Sequence, residues 1–166
     1  MIYRLLLQRE AKKFARFETD LINAVDEVLA ISSRDAAIMR GLAPEAAISV
    51  LNPMIDVDAL RAGEATRPEP RSLVSLGNMA WPPNRNGVLW FCREIWPSVA
   101  EKFPDSKFYI VGKNAPDEVR RLESKRIIVT GYGEDERTWV RRGHLFVVPL
   151  LEGSGVRMKI LTALAL

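Results

Sequence analysis

Apolar residues recur at near-helical spacing through the first 28 residues, where Leu6, Phe14, Phe17, Leu21, Val25 and Val28 stand among Arg, Lys, Glu and Asp. That period predicts one long amphipathic helix over 2–28. The run "VLAIS" (28–32) predicts a strand, and "RDAAIMRGL" a short helix capped by Ser32 or Ser33. "AISVL" (47–51) predicts a second strand, closed by Asn52-Pro53. Residues 61–71, "RAGEATRPEPR", break the pattern with two prolines, alternating charge and almost nothing apolar, and mark a linker.

After the linker the pattern becomes regular. Apolar runs at 72–77, 107–112, 126–131 and 144–150 predict strands. Between them lie predicted helices at 84–103, bent or restarted near Pro97, at 116–124, with Pro116 near the first turn, and at 135–142. A last helix follows Gly153-Ser154-Gly155. Short buried strands alternating with helices mean an α/β fold with an open, doubly wound parallel sheet. The final "ILTALAL" is apolar on most faces and runs to Leu166 with no glycine, asparagine or proline stop. The sheet is therefore expected to be incomplete at its C-terminal end, and residues 1–60 read as a remnant of another domain. On this reading the chain is a segment of a longer protein; a natural terminus is the alternative.

Composition adds limits. The 166 residues fit one ordinary domain, or one domain and part of another. A net charge of +3 and a pI near 9.2 suit a small anionic ligand or an anionic membrane surface. The basic residues are scattered, so no nucleic-acid partner is expected. Cys92 is the one cysteine, which excludes an internal disulfide and a cysteine-based zinc site, and no metal site is expected. It reads as a core residue beside Trp90, Phe91, Ile95 and Trp96. The start, "MIYRLLLQREAKK", is too charged for a signal peptide or a membrane span, so a cytoplasmic location is the default.

In such sheets ligands bind beyond the carboxyl ends of the strands. The candidate loops begin at Gly77-Asn78, Gly112-Lys113, Gly131-Tyr132-Gly133 and Pro149. The dinucleotide fingerprint G-x-G-x-x-G fails at Glu136 in "GYGEDE" and at Met158 in "GSGVRM", and the G-x-x-x-x-G-K-[ST] phosphate loop is absent. What remains is an expected helix N-terminus with free N–H groups on Ser154, Gly155 and Val156, an anion site by dipole and orphan donors. Arg157 and Lys159 could add charge-assisted bonds, but two residues apart on a helix point roughly 200° apart, so at most one should face the site. Glu152 is either an exposed loop acid or an acceptor for sugar hydroxyls. Asn84 or Asn86 would cap the helix after Trp81-Pro82-Pro83. Arg85 is exposed, or directed at a phosphate if its loop folds over the cleft. His144 reads as structural.

The segments "LVSLGNMAWPPNRNGVLWFCREIWP", "FPDSKFYIVG", "IIVTGY" and "LFVVPLLEGSGVRMKILTALAL" resemble the C-terminal, donor-binding half of retaining glycosyltransferases of the GT-B fold, the large group 1 family. "DEVLAISSRDAAIM…ISVLNPMIDVD" resembles the last βαβ piece of that family's N-terminal domain. The resemblance covers nearly the whole chain after about residue 20. It implies two Rossmann-like domains, with a UDP- or GDP-type sugar donor on the second and no further cofactor. It implies that Gly153, Ser154, Gly155 and Val156 take the diphosphate through backbone N–H groups, helped by Arg157 and Lys159 of a "G-x-G-x-R-x-K" variant. Glu152 would touch the donor sugar, and Tyr132 would lie against the nucleobase. Gly77, Asn78, Arg85, Gly112, Lys113 and Gly131 would line the nucleotide. The acceptor, a sugar or lipid-linked glycan, would be held by the rest of the enzyme, with peripheral association at the inner face of the membrane. Two positions depart from the family: Thr162 stands where a second glutamate holds the ribose, and the hinge reads "NPMIDVD" instead of "PNGVD". The alternatives are a GT-B sugar-nucleotide epimerase or hydrolase, and a non-catalytic glycosyltransferase-like binding domain.

Overall fold

The computed structural model describes residues 2–61, 67–131, 135–153 and 155–166. It divides into two compact units, Met1–Met54 and Ile55–Leu166. The smaller unit holds helix α1 (Ile2–Asn23), strand β1 (Val28–Ala30), helix α2 (Ser33–Leu42) and strand β2 (Ile48–Val50). β1 and β2 pair in parallel, with Val28 opposite Ile48. α1 stops at Asn23 rather than at residue 28, and the Val28 N–H pairs instead with the Ala47 carbonyl at 2.9 Å. Of the two serines, Ser32 is the cap: its Oγ accepts from the Asp35 N–H at 3.1 Å. Ile22, Ala30, Ala36, Ala43 and Ile48 form the small core.

The larger unit opens with α3 (Val57–Arg61), a helix the sequence pattern does not predict. Asp56 starts it, accepting the Ala59 N–H at 2.9 Å. Residues 62–66 of the expected linker lie outside the described residues, and its end is already strand: β3 runs Glu69–Leu76. α4 (Pro82–Trp90), a single π-helical turn (Phe91–Ile95) and α5 (Trp96–Lys102) form one continuous helical stretch. The expected break near Pro97 takes the form of this π turn. Pro97 can donate no N–H, and the Trp96 N–H reaches back five residues to the Phe91 carbonyl. β4 (Lys107–Val111), α6 (Asp117–Arg120), β5 (Ile127–Gly131), α7 (Glu136–Arg142), β6 (Gly143–Phe146) and α8 (Met158–Ala165) follow.

The four strands are parallel and lie in the order β5-β4-β3-β6. Alternation along the strands sorts the core onto two faces. Leu73, Phe108 and Ile110 pack with Val88, Phe91 and Trp96 from the α4–α5 stretch, and the tilted rings of Phe91 and Phe108 meet with centroids 4.9 Å apart. Val74, Tyr109 and Val111 pack on the other face, against Trp139 of α7 and Phe146. Helices on both faces make the sheet doubly wound, as expected. Cys92 is core, and burial pushes its thiol up to about 12. Ile95 is not core; it is 38% exposed, turned out by the π turn.

At the N-terminal end of the sheet, charge is paired within the chain. The Glu69 carboxylate accepts from Lys107 Nζ at 2.6 Å, Tyr109 Oη at 2.6 Å and Arg142 Nε at 3.0 Å. These donors hold Glu69 down to about 2 from its ordinary 4.5, the Lys107 hydrogen bond contributing most. Arg142 also lies over the Tyr109 and Trp139 rings, at 5.1 and 5.4 Å. His144, expected to be structural, accepts the Arg71 N–H on Nδ1 at 3.3 Å and donates its own N–H to Ser72 Oγ at 3.0 Å.

At the opposite end, backbones approach so closely that side chains are excluded. A Cβ on Gly87 of α4 would lie 1.8 Å from the Pro149 carbonyl oxygen in the segment after β6. One on Gly112 would lie 1.9 Å from the Gly77 carbonyl oxygen, and Gly112 has a φ of +140°. The loops after β3 and β4 are thereby locked together, with the Gly77 N–H on Val111 O and the Met79 N–H on Lys113 O, both at 3.0 Å.

Two outcomes are expected. Gly→Ala inside a helix ordinarily stabilises by about 1 kcal/mol. Gly87→Ala should instead destabilise by about 1–3 kcal/mol, the scale of core overpacking, in urea unfolding. An unchanged or raised midpoint would refute the contact. Glu69→Gln should cost about 1 kcal/mol at pH 7, the scale of partly exposed hydrogen-bonded charges. Because the folded carboxyl sits below its unfolded value, its contribution is full above about 4.5 and lost as pH falls toward about 2. The stability gap between parent and variant should therefore close over that window. A gap as wide at pH 3 as at pH 7 would argue against it.

Candidate functional site

In the order β5-β4-β3-β6, successive strands leave β3 in opposite directions, so the topological switch lies between β3 and β6. Crevices at such points are where open α/β sheets bind ligands. The loops flanking this one are residues 77–81 and 147–157, and α8 follows the latter.

α8 begins at Met158 with Arg157 at its N-cap, later than the sequence suggests. The expectation of helical N–H groups on Ser154, Gly155 and Val156 needs this correction. Gly153 and Gly155 have φ of +113° and +82°, in the left-handed region, so the chain cannot enter the helix there. Gly155 and Val156 belong to the loop, and Ser154 lies outside the described residues, as do Tyr132 and Gly133. Arg157 and Lys159 point apart, although Arg157 at the N-cap lies outside the helical turn on which the spacing argument rests. Arg157 turns back over the loop, where a Cβ on Gly153 would sit 2.7 Å from its Nη2. Lys159 turns inward.

The Lys159 ammonium donates to the Leu76 carbonyl at 2.8 Å and to Asn84 Oδ1 at 2.9 Å. Both acceptors are neutral, and among the described residues no carboxylate forms an ion pair with it. Half-burial, and then the nearby Arg157 charge, lower its affinity for the proton. An ammonium partly withdrawn from water and left without a counter-ion is an anion-attracting feature.

Neither Asn84 nor Asn86 is the cap that the sequence suggests. The helix starts at Pro82, with Trp81 at the N-cap and no side-chain cap bond. Asn84 is instead buried, donating through Nδ2 to the Asn78 carbonyl at 3.0 Å. A Cβ on Gly77 would meet that Nδ2 at 2.5 Å. Asn78 Oδ1 accepts from the Ala80 N–H at 3.1 Å and from Asn114 Nδ2 at 3.2 Å, which ties the loops after β3 and β4 together. Sequence reasoning misses Asn84 as a site residue. Its one signal is an asparagine directly after two prolines at the start of a helix, a few residues beyond the glycine that follows a buried strand.

The remaining candidates divide. Gly77, Asn78, Gly112 and Lys113 come together at the ends of β3 and β4. Gly131, with φ +68°, ends β5 and accepts the Gly112 N–H at 3.1 Å. Arg85 pairs with Glu118 of α6 at 3.1 Å, so its charge is spent on this chain's own carboxylate. Thr162 donates its hydroxyl to the Met158 carbonyl at 3.1 Å, a bond within α8. Glu152 is exposed. Among the described residues no helix is long and apolar enough to cross a membrane.

Comparison with known proteins agrees with this architecture. A Klebsiella pneumoniae protein described as an "Uncharacterized 44.6 kDa protein in cps region" is 28% identical over 103 residues, which is 56% of this chain and 26% of that protein. Among solved structures, the fold is similar to that of a mutant of S. aureus TarM in complex with Fondaparinux, alpha-GlcNAc-glycerol and UDP. The TM-score is 0.63 at 14% identity, over 81% of this chain and 27% of TarM. The likeness is one of fold, and it meets the expectation of a GT-B, Rossmann-like architecture. The chain thus spans about a quarter of the length of each of these relatives. The family described as "Glycosyl transferases group 1" matches residues 70–166, more than half of the chain and all four strands of the larger sheet, and the chain belongs to that family.

Proposed function

We propose that the larger unit is the donor-binding part of a glycosyltransferase, holding a nucleoside-diphosphate sugar at the crevice between β3 and β6. The observation that carries this reading is the half-buried Lys159 ammonium, held by two neutral oxygens at the switch point of the sheet. Among the described residues no carboxylate pairs with it, so its charge is available to a diphosphate. Gly155 leaves the loop backbone open for close approach to phosphate oxygens, and the Arg157 guanidinium stands over Gly153 in the same loop. UDP, the nucleotide named with TarM, is the first donor type to test, and GDP the second.

In the whole enzyme the glycosyl group passes to an acceptor hydroxyl, on a sugar or a lipid-linked glycan, with retention at the anomeric carbon. The bond from that carbon to the diphosphate oxygen breaks and a bond to the acceptor oxygen forms, while the acceptor proton leaves to base. Charge builds on the departing diphosphate, and on this reading Lys159, Arg157 and loop N–H groups offset it. Glu152 accepts hydrogen bonds from donor-sugar hydroxyls. The acceptor side comes from the remainder of the enzyme, which works in the cytoplasm and meets the membrane peripherally. No further cofactor takes part. A second reading, a glycosyltransferase-like domain kept for binding alone, draws on Thr162: its hydroxyl is occupied by Met158 where the family's ribose-holding glutamate is expected.

Calorimetric titration of this chain with UDP and GDP should give saturable heat at millimolar nucleotide. Lys159→Ala should weaken binding about tenfold or more, the scale of one lost charge-assisted hydrogen bond. No heat from either nucleotide, with amide NMR spectra unmoved, would sink the donor-site reading.

A further inference from the structure

We propose that Asn84 is the positioning residue of the proposed site, and that its value lies in being an amide and not a carboxylate: it fixes the Lys159 ammonium while leaving that charge for an anionic diphosphate. This rests on the donor-site reading and extends it to a residue outside the glycine loop and α8.

The geometry has three parts. Asn84 stands in the first turn of α4, buried, with both ends of its amide engaged. Nδ2 donates to the Asn78 carbonyl at 3.0 Å, which sets the amide's orientation and leaves Oδ1 to accept from Lys159 Nζ at 2.9 Å. Gly77 makes the arrangement possible, since a Cβ there would overlap both Nδ2, at 2.5 Å, and Cγ, at 2.8 Å. The Leu76 carbonyl, at 2.8 Å, is the second fixed acceptor. Two of the three ammonium protons are thus spent on neutral oxygens. They restrain the flexible lysine stem without cancelling its charge, so the ordering cost of holding it is met before a ligand arrives.

An aspartate at 84 would nearly match the asparagine in shape and could still accept from Lys159. It would, however, make a half-buried ion pair, and would lose the donor to the Asn78 carbonyl. The pair would neutralise the site and place a negative charge beside the incoming diphosphate. Glu118, on α6 beside α4, does not supply such a charge, because Arg85 takes it. Among the described residues the charged neighbour acting on Lys159 is Arg157, whose charge disfavours the ammonium; Lys113 and Glu152, on loops after β4 and β6, are exposed.

The test compares Asn84→Asp and Asn84→Ala with the parent chain, using UDP and inorganic pyrophosphate as probes and NMR of isotope-labelled lysine side chains as a readout that needs no ligand. In Asn84→Asp the Lys159 signal should titrate at higher pH than in the parent, with the fold retained by amide spectrum. Binding of both probes should fall at least tenfold. Asn84→Ala should also bind less tightly, but with a smaller loss and without that upward shift, because the site keeps its charge and loses only its restraint. Asn84→Asp binding both probes as tightly as the parent would overturn the proposal. So would a Lys159 titration unchanged in Asn84→Asp, since Asn84 would then not hold the ammonium. If the parent binds neither probe while the Lys159 titration shifts as expected, the donor-site reading fails and the Asn84–Lys159 contact stands.

Discussion

Three close approaches at the carboxyl end of the sheet, two between backbones and one between backbone and side chain, constrain everything around the candidate site. Gly112 meets the Gly77 carbonyl, Gly87 meets the Pro149 carbonyl, and Gly77 itself meets the Asn84 side chain, each at a separation no Cβ could share. Together they fix the loops after β3 and β4 to one another and draw α4 against the segment after β6. Interiors packed this tightly do not deform continuously. The crevice between β3 and β6 therefore has walls set by covalent geometry and hydrogen bonds before any ligand enters. In this respect the glycines act in pairs with particular partners, and their effect is on loop position more than on local chain freedom.

The two ends of the same sheet handle charge in opposite ways. At the amino end one carboxylate, Glu69, accepts from three side chains, two of them cationic, and an aromatic pair lies beneath Arg142. Charge there is consumed in holding β3, β4 and α7 together. At the carboxyl end Lys159 donates to neutral oxygens. A protein that needed Lys159 for cohesion alone would gain more from a carboxylate partner, as Glu69 does with Lys107. Within one sheet, then, one set of charges is held in an ion cluster and another cation is held by neutral oxygens.

Much of this is legible in the sequence, for physical reasons that also explain the failures. Buried parallel strands must be apolar, so β4 and β5 stand out as "KFYIV" and "IIVTG". Pro97 announces a break because it has no N–H to donate, although the form of the break, a π turn, depends on the Trp96 N–H finding Phe91. The pattern places the start of β3 too late because residues 69–71 read Glu-Pro-Arg; Glu69 serves the ion cluster at the amino end of the sheet and Arg71 pairs with Asp105, which no local period reveals. α3 is hidden in a charged stretch for a similar reason: Arg61 donates to the Ala165 carbonyl at 3.3 Å, and Arg141 donates to the carbonyl of Leu60. Those long-range contacts support a helix too short to form unaided. The sequence puts the start of α8 too early because glycine permits a helix as well as a loop, and only the positive φ values decide between them.

Asn84 shows where pattern reading ends and geometry begins. In "WPPNRNG" either asparagine could cap a helix, and position alone does not separate them. The prolines decide it by occupying the first helical turn, where a missing N–H costs nothing. They move the helix start upstream, so that Asn84 enters the first turn instead of preceding it, and its side chain meets Gly77 and Lys159 rather than its own backbone. Asn86, two residues on, is left exposed beside Arg85. A capping residue would have satisfied one backbone N–H and ended its influence there. Placed as it is, Asn84 connects the first βα loop of the sheet to the last helix, 75 positions away in sequence. That connection makes the two walls of the crevice a single unit, and it is why a charge on α8 can be held at the mouth of β3.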